Sequence, residues 1–326
     1  MPVSSTSFRL RSSGSYQLAL AIFALALPCA QARAQFAYIN PPGGTYNVAF
    51  GVQNGEVVGY QNFGASGFTF DGTSFTTVNV PGAAQTQVYG ISGNNLFGDY
   101  QTAGGSNYAY VYDGSTLTTL PTFTGAVPNN TNATAMQGDV VGGSYEDSLG
   151  NVHGYTYDLT SQLLTTYDDP NVIGDPIVQE TVITGINGQA VAGTYSNSYG
   201  NFGFIDNHGV YTTISDPLGV GYTTVNGWAG AYLVGEYVDA ANYSHGFIYD
   251  DTTNTYTTID APDTFGGAAL YGIGYDPDGG ITVVGAYDGN AFEYTYTPEP
   301  GCAGMLVGLG LSGIGIAVRR SRRRAK

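Results

Sequence analysis

Near its start the chain reads Phe36-Ala37-Tyr38-Ile39-Asn40-Pro41-Pro42-Gly43, which lines up position for position with Phe75-Thr76-Thr77-Val78-Asn79-Val80-Pro81-Gly82. The later stretch is one element of an internal repeat; the earlier one stands alone ahead of it. At the far end, Phe292 to Tyr296 matches another element of the same repeat but lacks the partner that normally follows. A leading strand that completes the last unit would close a ring and leave no open sheet edge.

The repeat is clearest at a Val-Val-Gly type step whose glycines are Gly59, Gly98, Gly143, Gly193, Gly235 and Gly285. They recur at roughly 40–50-residue intervals, the period of propellers and solenoids. Next comes an aromatic pair flanking one residue: Phe68 and Phe70, Tyr110 and Tyr112, Tyr155 and Tyr157, Phe247 and Tyr249, Phe292 and Tyr294, with Phe204-Ile205-Asp206 as a partial copy. Alternation at period two predicts strands. Asp71-Gly72, Asp113-Gly114, Asn207-His208-Gly209 and Asp250-Asp251 then supply turns. They lead into Thr-Thr strands at Phe75–Val78, Leu117–Leu120, Tyr211–Ile214 and Tyr256–Ile259. A Gly-Ile strand, as in Gly185-Ile186-Asn187, precedes each Val-Val-Gly strand.

The longest links, Pro121 to Asn132 and Pro170 to Thr181, follow the Thr-Thr strand, so each unit should begin with the Gly-Ile strand. The expected fold is all-β: a six-bladed β-propeller of four-stranded blades, closed by pairing of about Phe36–Asn40 with Phe292–Tyr296. Repeat length alone also allows a β-solenoid.

Charge divides the 326 residues into three blocks. All 9 Lys and Arg lie at the ends, and of the 25 Asp and Glu only Glu299 falls outside residues 35–297. Histidine aside, the middle has no cation, so its carboxylates are expected to be solvated, bonded in turns or neutralised from outside, and no salt bridge is expected within it. A net charge of −16 repels phosphate backbones and argues against nucleic acid as a partner. The two cysteines, Cys29 and Cys302, both lie in the end blocks, so residues 35–297 have no disulfide or thiolate metal site.

Residues 1–34 read as a secretory signal with a short helix. Arg9 and Arg11 precede an apolar run from Leu18 to Leu27, and Ala32-Arg33-Ala34 offers a cleavage site for signal peptidase before Gln35. Residues 298–326 hold Pro298-Glu299-Pro300, an uncharged run from Gly301 to Val318 close to the length of a transmembrane helix, and a basic cluster of Arg319, Arg320, Arg322, Arg323 and Arg324. This order resembles the PEP-CTERM sorting signal of Gram-negative bacteria. The resemblance implies an exosortase-type sorting enzyme as partner, at least transient anchoring in the membrane, and a destination at the cell surface or in the exopolysaccharide matrix. A simple tail anchor would explain the helix and the arginines but not Pro298-Glu299-Pro300.

Within residues 35–297, His153-Gly154-Tyr155 and His245-Gly246-Phe247 resemble the triplet that names the extracellular HAF repeat family, with Tyr108-Ala109-Tyr110, Ser66-Gly67-Phe68 and Asn290-Ala291-Phe292 as degenerate copies. That resemblance implies export and repetition and carries no activity.

No nucleophile elbow, His-Glu-x-x-His pair or phosphate loop is present. His153 and His245 occupy matching places in different units and are read as structural; His208 lies in a turn. The acidic steps Asp168-Asp169, Asp250-Asp251 and Asp276-Pro277-Asp278-Gly279 are read first as solvated turns. Asp276 and Asp278 are the candidate ligands for Ca²⁺, the one possible cofactor. Trp228 falls where other units have the Ile-Asn turn, so it is expected to project from a loop as a sugar contact. The expected function is that of a non-enzymatic structural or binding component of the envelope or polysaccharide matrix. The alternative is a secreted glycoside hydrolase or polysaccharide lyase, which would need paired carboxylates at one mouth of the ring.

Overall fold

The computed structural model describes residues 35–262, 267–277 and 280–296. The signal helix expected in 1–34 and the membrane helix expected in 298–326 lie outside the described residues. Among the described residues there are 24 β-strands and no helix, hence none long and apolar enough to cross a membrane.

The strands fall into four-stranded antiparallel groups. The first holds β2 (Asn47–Gln53), β3 (Glu56–Gln61), β4 (Ser66–Phe70) and β5 (Phe75–Val78). The second holds β6 (Ala83–Ser92), β7 (Asn95–Thr102), β8 (Asn107–Tyr112) and β9 (Leu117–Thr119). In the third are β10 (Ala126–Gln137), β11 (Val140–Asp147), β12 (Val152–Asp158) and β13 (Leu164–Tyr167). β14 (Glu180–Asn187), β15 (Ala190–Asn197), β16 (Gly200–Asn207) and β17 (Val210–Ile214) make the fourth. The fifth comprises β18 (Thr223–Ala229), β19 (Tyr232–Val238), β20 (Ser244–Asp250) and β21 (Thr255–Ile259). The last is ordered β1-β24-β23-β22, joining β22 (Ala269–Tyr275), β23 (Ile281–Tyr287) and β24 (Asn290–Tyr296) to β1 (Gln35–Tyr38) from the start of the chain. One parallel bridge, Val152 to Glu180, fuses the third and fourth groups at the end of a link that the sequence left irregular.

The first strands of successive sheets contact one another: β2 meets β6, β6 meets β10, β10 meets β14, β14 meets β18, β18 meets β22, and β22 returns to β2. The apolar clusters lie between neighbouring sheets. Phe97, Val111, Phe123, Val141 and Tyr155, for example, join the second sheet to the third.

A single local device recurs in every sheet. The pairing of first and second strand slips by one residue at Ala49/Gly51, Val88/Gly90, Ala133/Ala135, Ile183/Gly185, Val225/Gly227 and Leu270/Gly272. Each slip is a β-bulge with one extra residue on the first strand. Opposite each bulge stands a Val-Val-Gly glycine. A Cβ added at Gly59, Gly143, Gly193 or Gly235 would run into the backbone carbonyl of the first strand, closer than real Cβ atoms approach. The glycine therefore answers a close backbone approach.

The space above that glycine is filled from the third strand. Phe68, Tyr110, Tyr155, Phe204, Phe247 and Phe292 pair directly across from the six glycines, and all six are fully buried. Where the ring is Tyr, its hydroxyl turns the same contact into a hydrogen bond: Tyr155 donates to Asn132 O at 2.8 Å and Tyr110 to Gln87 O at 3.3 Å. Replacing Phe247 by Ala should cost about 3–5 kcal/mol, the usual price of emptying a buried aromatic site. The exposed Val210→Ala should stay within about 0.5 kcal/mol. Denaturant midpoints of the two variants check the contrast.

Candidate functional site

The six bulged residues are Phe50, Tyr89, Thr134, Thr184, Asn226 and Tyr271, and all six line one cavity of about 400 Å³ enclosed by the first strands. A bulge re-aims its extra side chain, which explains why this position, otherwise out of register, faces the cavity. The next layer is apolar and includes Met136, Ile186, Trp228 and Ile273.

The bulge positions divide by chemistry into two halves. Tyr271, Phe50 and Tyr89 come from three adjoining strands, β22, β2 and β6, and form an aromatic wall. Phe50 lies between the two tyrosines, with ring centroids 4.7 Å from Tyr271 and 5.0 Å from Tyr89. Thr134, Thr184 and Asn226, from β10, β14 and β18, form a hydroxyl and amide wall. Each stitches its strand to the next one: Thr134 Oγ1 donates to Ile183 O at 2.6 Å, Thr184 Oγ1 to Val225 O at 2.6 Å, and Asn226 Nδ2 to Leu270 O at 2.9 Å. The acceptor is always the residue just before the next bulge. Ring contacts on one side and hydrogen bonds on the other thus join neighbouring first strands.

No carboxylate, histidine, lysine or arginine lines this cavity among the described residues. An acid–base pair for glycosidic hydrolysis is therefore not assembled on its wall. Burial raises the Tyr271 and Tyr89 phenols above their ordinary range, aided by Glu236 and by Asp99 respectively, so both rings are neutral donors.

Trp228 is not on a loop. It sits in β18 opposite Leu233, half-buried against the apolar cluster between the fourth and fifth sheets, and its Nε1 donates to Gly230 O at 3.0 Å. The sequence placed it in a turn because the strand runs one bulge longer than period-two counting suggests. The six bulge residues went unnoticed for the same reason. Their signal is the residue immediately before each Gly-Ile type step, as in Phe50-Gly51-Val52 and Tyr271-Gly272-Ile273.

The histidines, set aside in the charge count, hold four of the middle block's carboxylates. His153 Nδ1 lies 2.7 Å from Asp168 and its Nε2 3.3 Å from Asp147; His245 Nδ1 lies 2.9 Å from Asp260 and its Nε2 3.4 Å from Asp239. Each imidazole ring thus bridges two carboxylates. Tyr145 and Tyr237 stack on the two rings. The small residue after each histidine faces the next sheet: a Cβ on Gly154 or Gly246 would press on Ile183 or Leu270. The two triplets thus sit in separate sheets, as units of the fold and not as one cluster.

The acidic steps also sort themselves. Asp168 is held by His153, while Asp169 is buried in the link between sheets and not a solvated turn residue; burial raises its pKa. Asp250 is a turn residue, accepting from Thr252 N and Oγ1. Asp276 accepts from Thr282 Oγ1 at 2.8 Å, and Asp278 lies outside the described residues. Among the described residues no three His, Cys, Asp or Glu side chains are grouped to hold a metal ion. Pro298, Glu299, Pro300 and the arginines from Arg319 to Arg324 also lie outside the described residues.

No family model matches the chain, and no curated protein does. Solved structures do resemble it. TolB from Acinetobacter baumannii matches at 13% identity and TM-score 0.45, covering 79% of this chain, which in turn spans 66% of that one. A mutant of the Aleuria aurantia lectin in complex with alpha-methyl-L-fucoside matches at 13% identity and TM-score 0.46, over 82% of this chain and 93% of the lectin. A mutant of AofleA from Arthrobotrys oligospora matches at 13% identity and TM-score 0.47, over 82% and 87%. At these identities and TM-scores, what those proteins bind says nothing of this chain's ligand.

The His153 clamp has a defined pH signature. Partial burial alone would lower its pKa, but the hydrogen bonds and charges of Asp168 and Asp147 outweigh that and raise it. A raised histidine stabilises the fold fully below its unfolded value near 6.5 and loses that contribution as pH rises through the folded value. His153→Gln should therefore lower the melting temperature more at pH 6 than at pH 9, by a difference worth at most about 1 kcal/mol for a partly exposed pair. Thermal melts of both proteins across that range check it.

Proposed function

We propose that this protein is a six-bladed β-propeller, closed by β1, which works as an exported binding module for a neutral, hydroxyl-rich ligand held in its central channel. The observation that carries the binding reading is the split lining: an aromatic wall of Tyr271, Phe50 and Tyr89 facing hydroxyl and amide groups of Thr134, Thr184 and Asn226. Aromatic faces stack on the apolar faces of sugar rings, and fixed amides and hydroxyls orient their polar edges. The lack of any Lys or Arg in residues 35–297 speaks against an anionic ligand.

Closure is supported by the register of β1 on β24, which pairs Phe36 with Tyr294 and Tyr38 with Phe292. Beyond the strand, Ile39 N donates to Ala291 O at 2.9 Å and Asn40 Nδ2 to Asn290 Oδ1 at 3.0 Å. This amide pair stands where the histidine clamps stand in the third and fifth sheets. Deleting residues 35–40 should lower the melting temperature and promote association, because it bares the β24 edge. Melting and size-exclusion chromatography read the two effects.

The PEP-CTERM-like tail and the signal-like start support export, processing by signal peptidase and an exosortase-type enzyme, and residence at the cell surface or in an exopolysaccharide matrix. Replacing Pro298, Glu299 and Pro300 together by Ala should leave the chain in the membrane fraction, where the native chain is sorted onward; fractionation and immunoblotting distinguish them.

Binding is tested on a glycan array, with reducing-end assays on any hit. Phe50→Ala with Tyr271→Ala should weaken a bound glycan about fivefold or more, since aromatic contacts of this kind are worth roughly 0.5–1.5 kcal/mol each. Binding without turnover supports the module; release of reducing ends would favour the hydrolase reading instead.

A further inference from the structure

We infer that the cleft between β7 and β10, walled by Asp99, Gln87, Tyr100, Gln101, Asn107 and Asn132, is a second binding site that takes one neutral sugar ring. The cleft encloses about 230 Å³, room for roughly seven or eight waters at their liquid volume. It opens between the second and third sheets and adjoins the central channel only through Tyr89. The inference does not depend on the channel being occupied.

Asp99 is the feature the fold does not explain. It follows the Val-Val-Gly glycine Gly98, and the same position in the other sheets is held by Tyr60, Ser144, Thr194, Glu236 and Ala286, so no carboxyl is required there for folding. It is 8% exposed and accepts one hydrogen bond, from Ala133 N at 3.2 Å. A buried carboxyl with one long bond is under-satisfied. Glu236, the other acid at this position, is satisfied by Tyr222 Oη at 2.9 Å. Burial pushes the Asp99 pKa up to about 8, so near neutrality the group offers both an O–H donor and acceptor lone pairs, the combination that pairs with hydroxyls.

The rest of the wall is held ready. Gln101 Nε2 donates to Asn107 Oδ1 at 3.1 Å, and Tyr89 Oη to Gln87 Oε1. Tyr100 is stacked on Tyr108 with centroids 5.4 Å apart, which gives a flat aromatic face beside the amides. No cation is present to neutralise an anion, and a single carboxyl gives a divalent metal too few charged ligands. A neutral polyol ring satisfies the amides, the carboxyl and the phenol together.

The test uses the full-length chain in detergent and a panel of glucose, galactose, mannose, xylose and fucose, read by saturation-transfer NMR and calorimetry. At least one sugar should bind. Asp99→Asn and Gln101→Ala should each weaken it fivefold or more, while the exposed Val210→Ala, which lines neither cavity, leaves it unchanged; Phe50→Ala is measured beside them to report on the channel. Binding of none of these sugars overturns the site, as does undiminished binding in both variants, or a loss confined to Phe50→Ala. Calcium binding that Asp99→Asn abolishes, with no sugar bound, also overturns it. Thermal melts verify folding; if Asp99→Asn does not fold, the half-buried Gln101 decides the matter alone. Loss in Phe50→Ala only would leave the channel reading standing while this one falls.

Discussion

The contact on which the structure depends is the close passage of a bulged first strand over the glycine of the second. At Gly59, Gly143, Gly193 and Gly235 a carbonyl of the first strand occupies the space that a Cβ would need. The same space is bounded by a fully buried aromatic ring of the third strand. Bulge, glycine and ring form one interlocked unit, repeated in every sheet. Because the extra residue is turned out of the ladder, its side chain faces the cavity and not the glycine and ring of its own sheet. That placement lets six equivalent positions carry Phe, Tyr, Thr, Thr, Asn and Tyr without altering the scaffold.

Electrostatics follows from the same economy. With no Lys or Arg between residues 35 and 297, the carboxylates are handled one at a time. Asp71, Asp113 and Asp158 each accept backbone N–H groups in their own turns, which lowers their pKa values. Asp147, Asp168, Asp239 and Asp260 share two histidines. Asp99, Asp169 and Asp216 are buried instead, and burial shifts them upward toward the neutral form. A domain built this way stays anionic outside and uncharged along its channel wall.

Much of the fold was legible in the sequence because it is written locally. Asp-Gly and Asn-Gly steps mark hairpins, alternation marks strands, and the long links after Thr-Thr strands mark the breaks between sheets. The glycine of the Val-Val-Gly step and the small residue of the His-Gly-Tyr type triplet were visible as patterns, although their cause, a neighbouring backbone or the next sheet, was not. Trp228 misled because a bulge shifts register by one residue, and a single slip exchanges the two faces of a strand. The histidine clamps escaped notice because Asp147 and Asp168 reach His153 from different strand ends.

The sequence by itself determined the strand order and the period, since each resides in residues close together along the chain. Only the tertiary structure decided which side chains share a space: that six bulges meet, that aromatic residues fall on one half of the lining and hydroxyls and an amide on the other, and that Asp99 is shut away with one partner. The physical reason is that these relations arise between sheets, through contacts separated by more than thirty residues along the chain, where periodicity no longer carries information about direction.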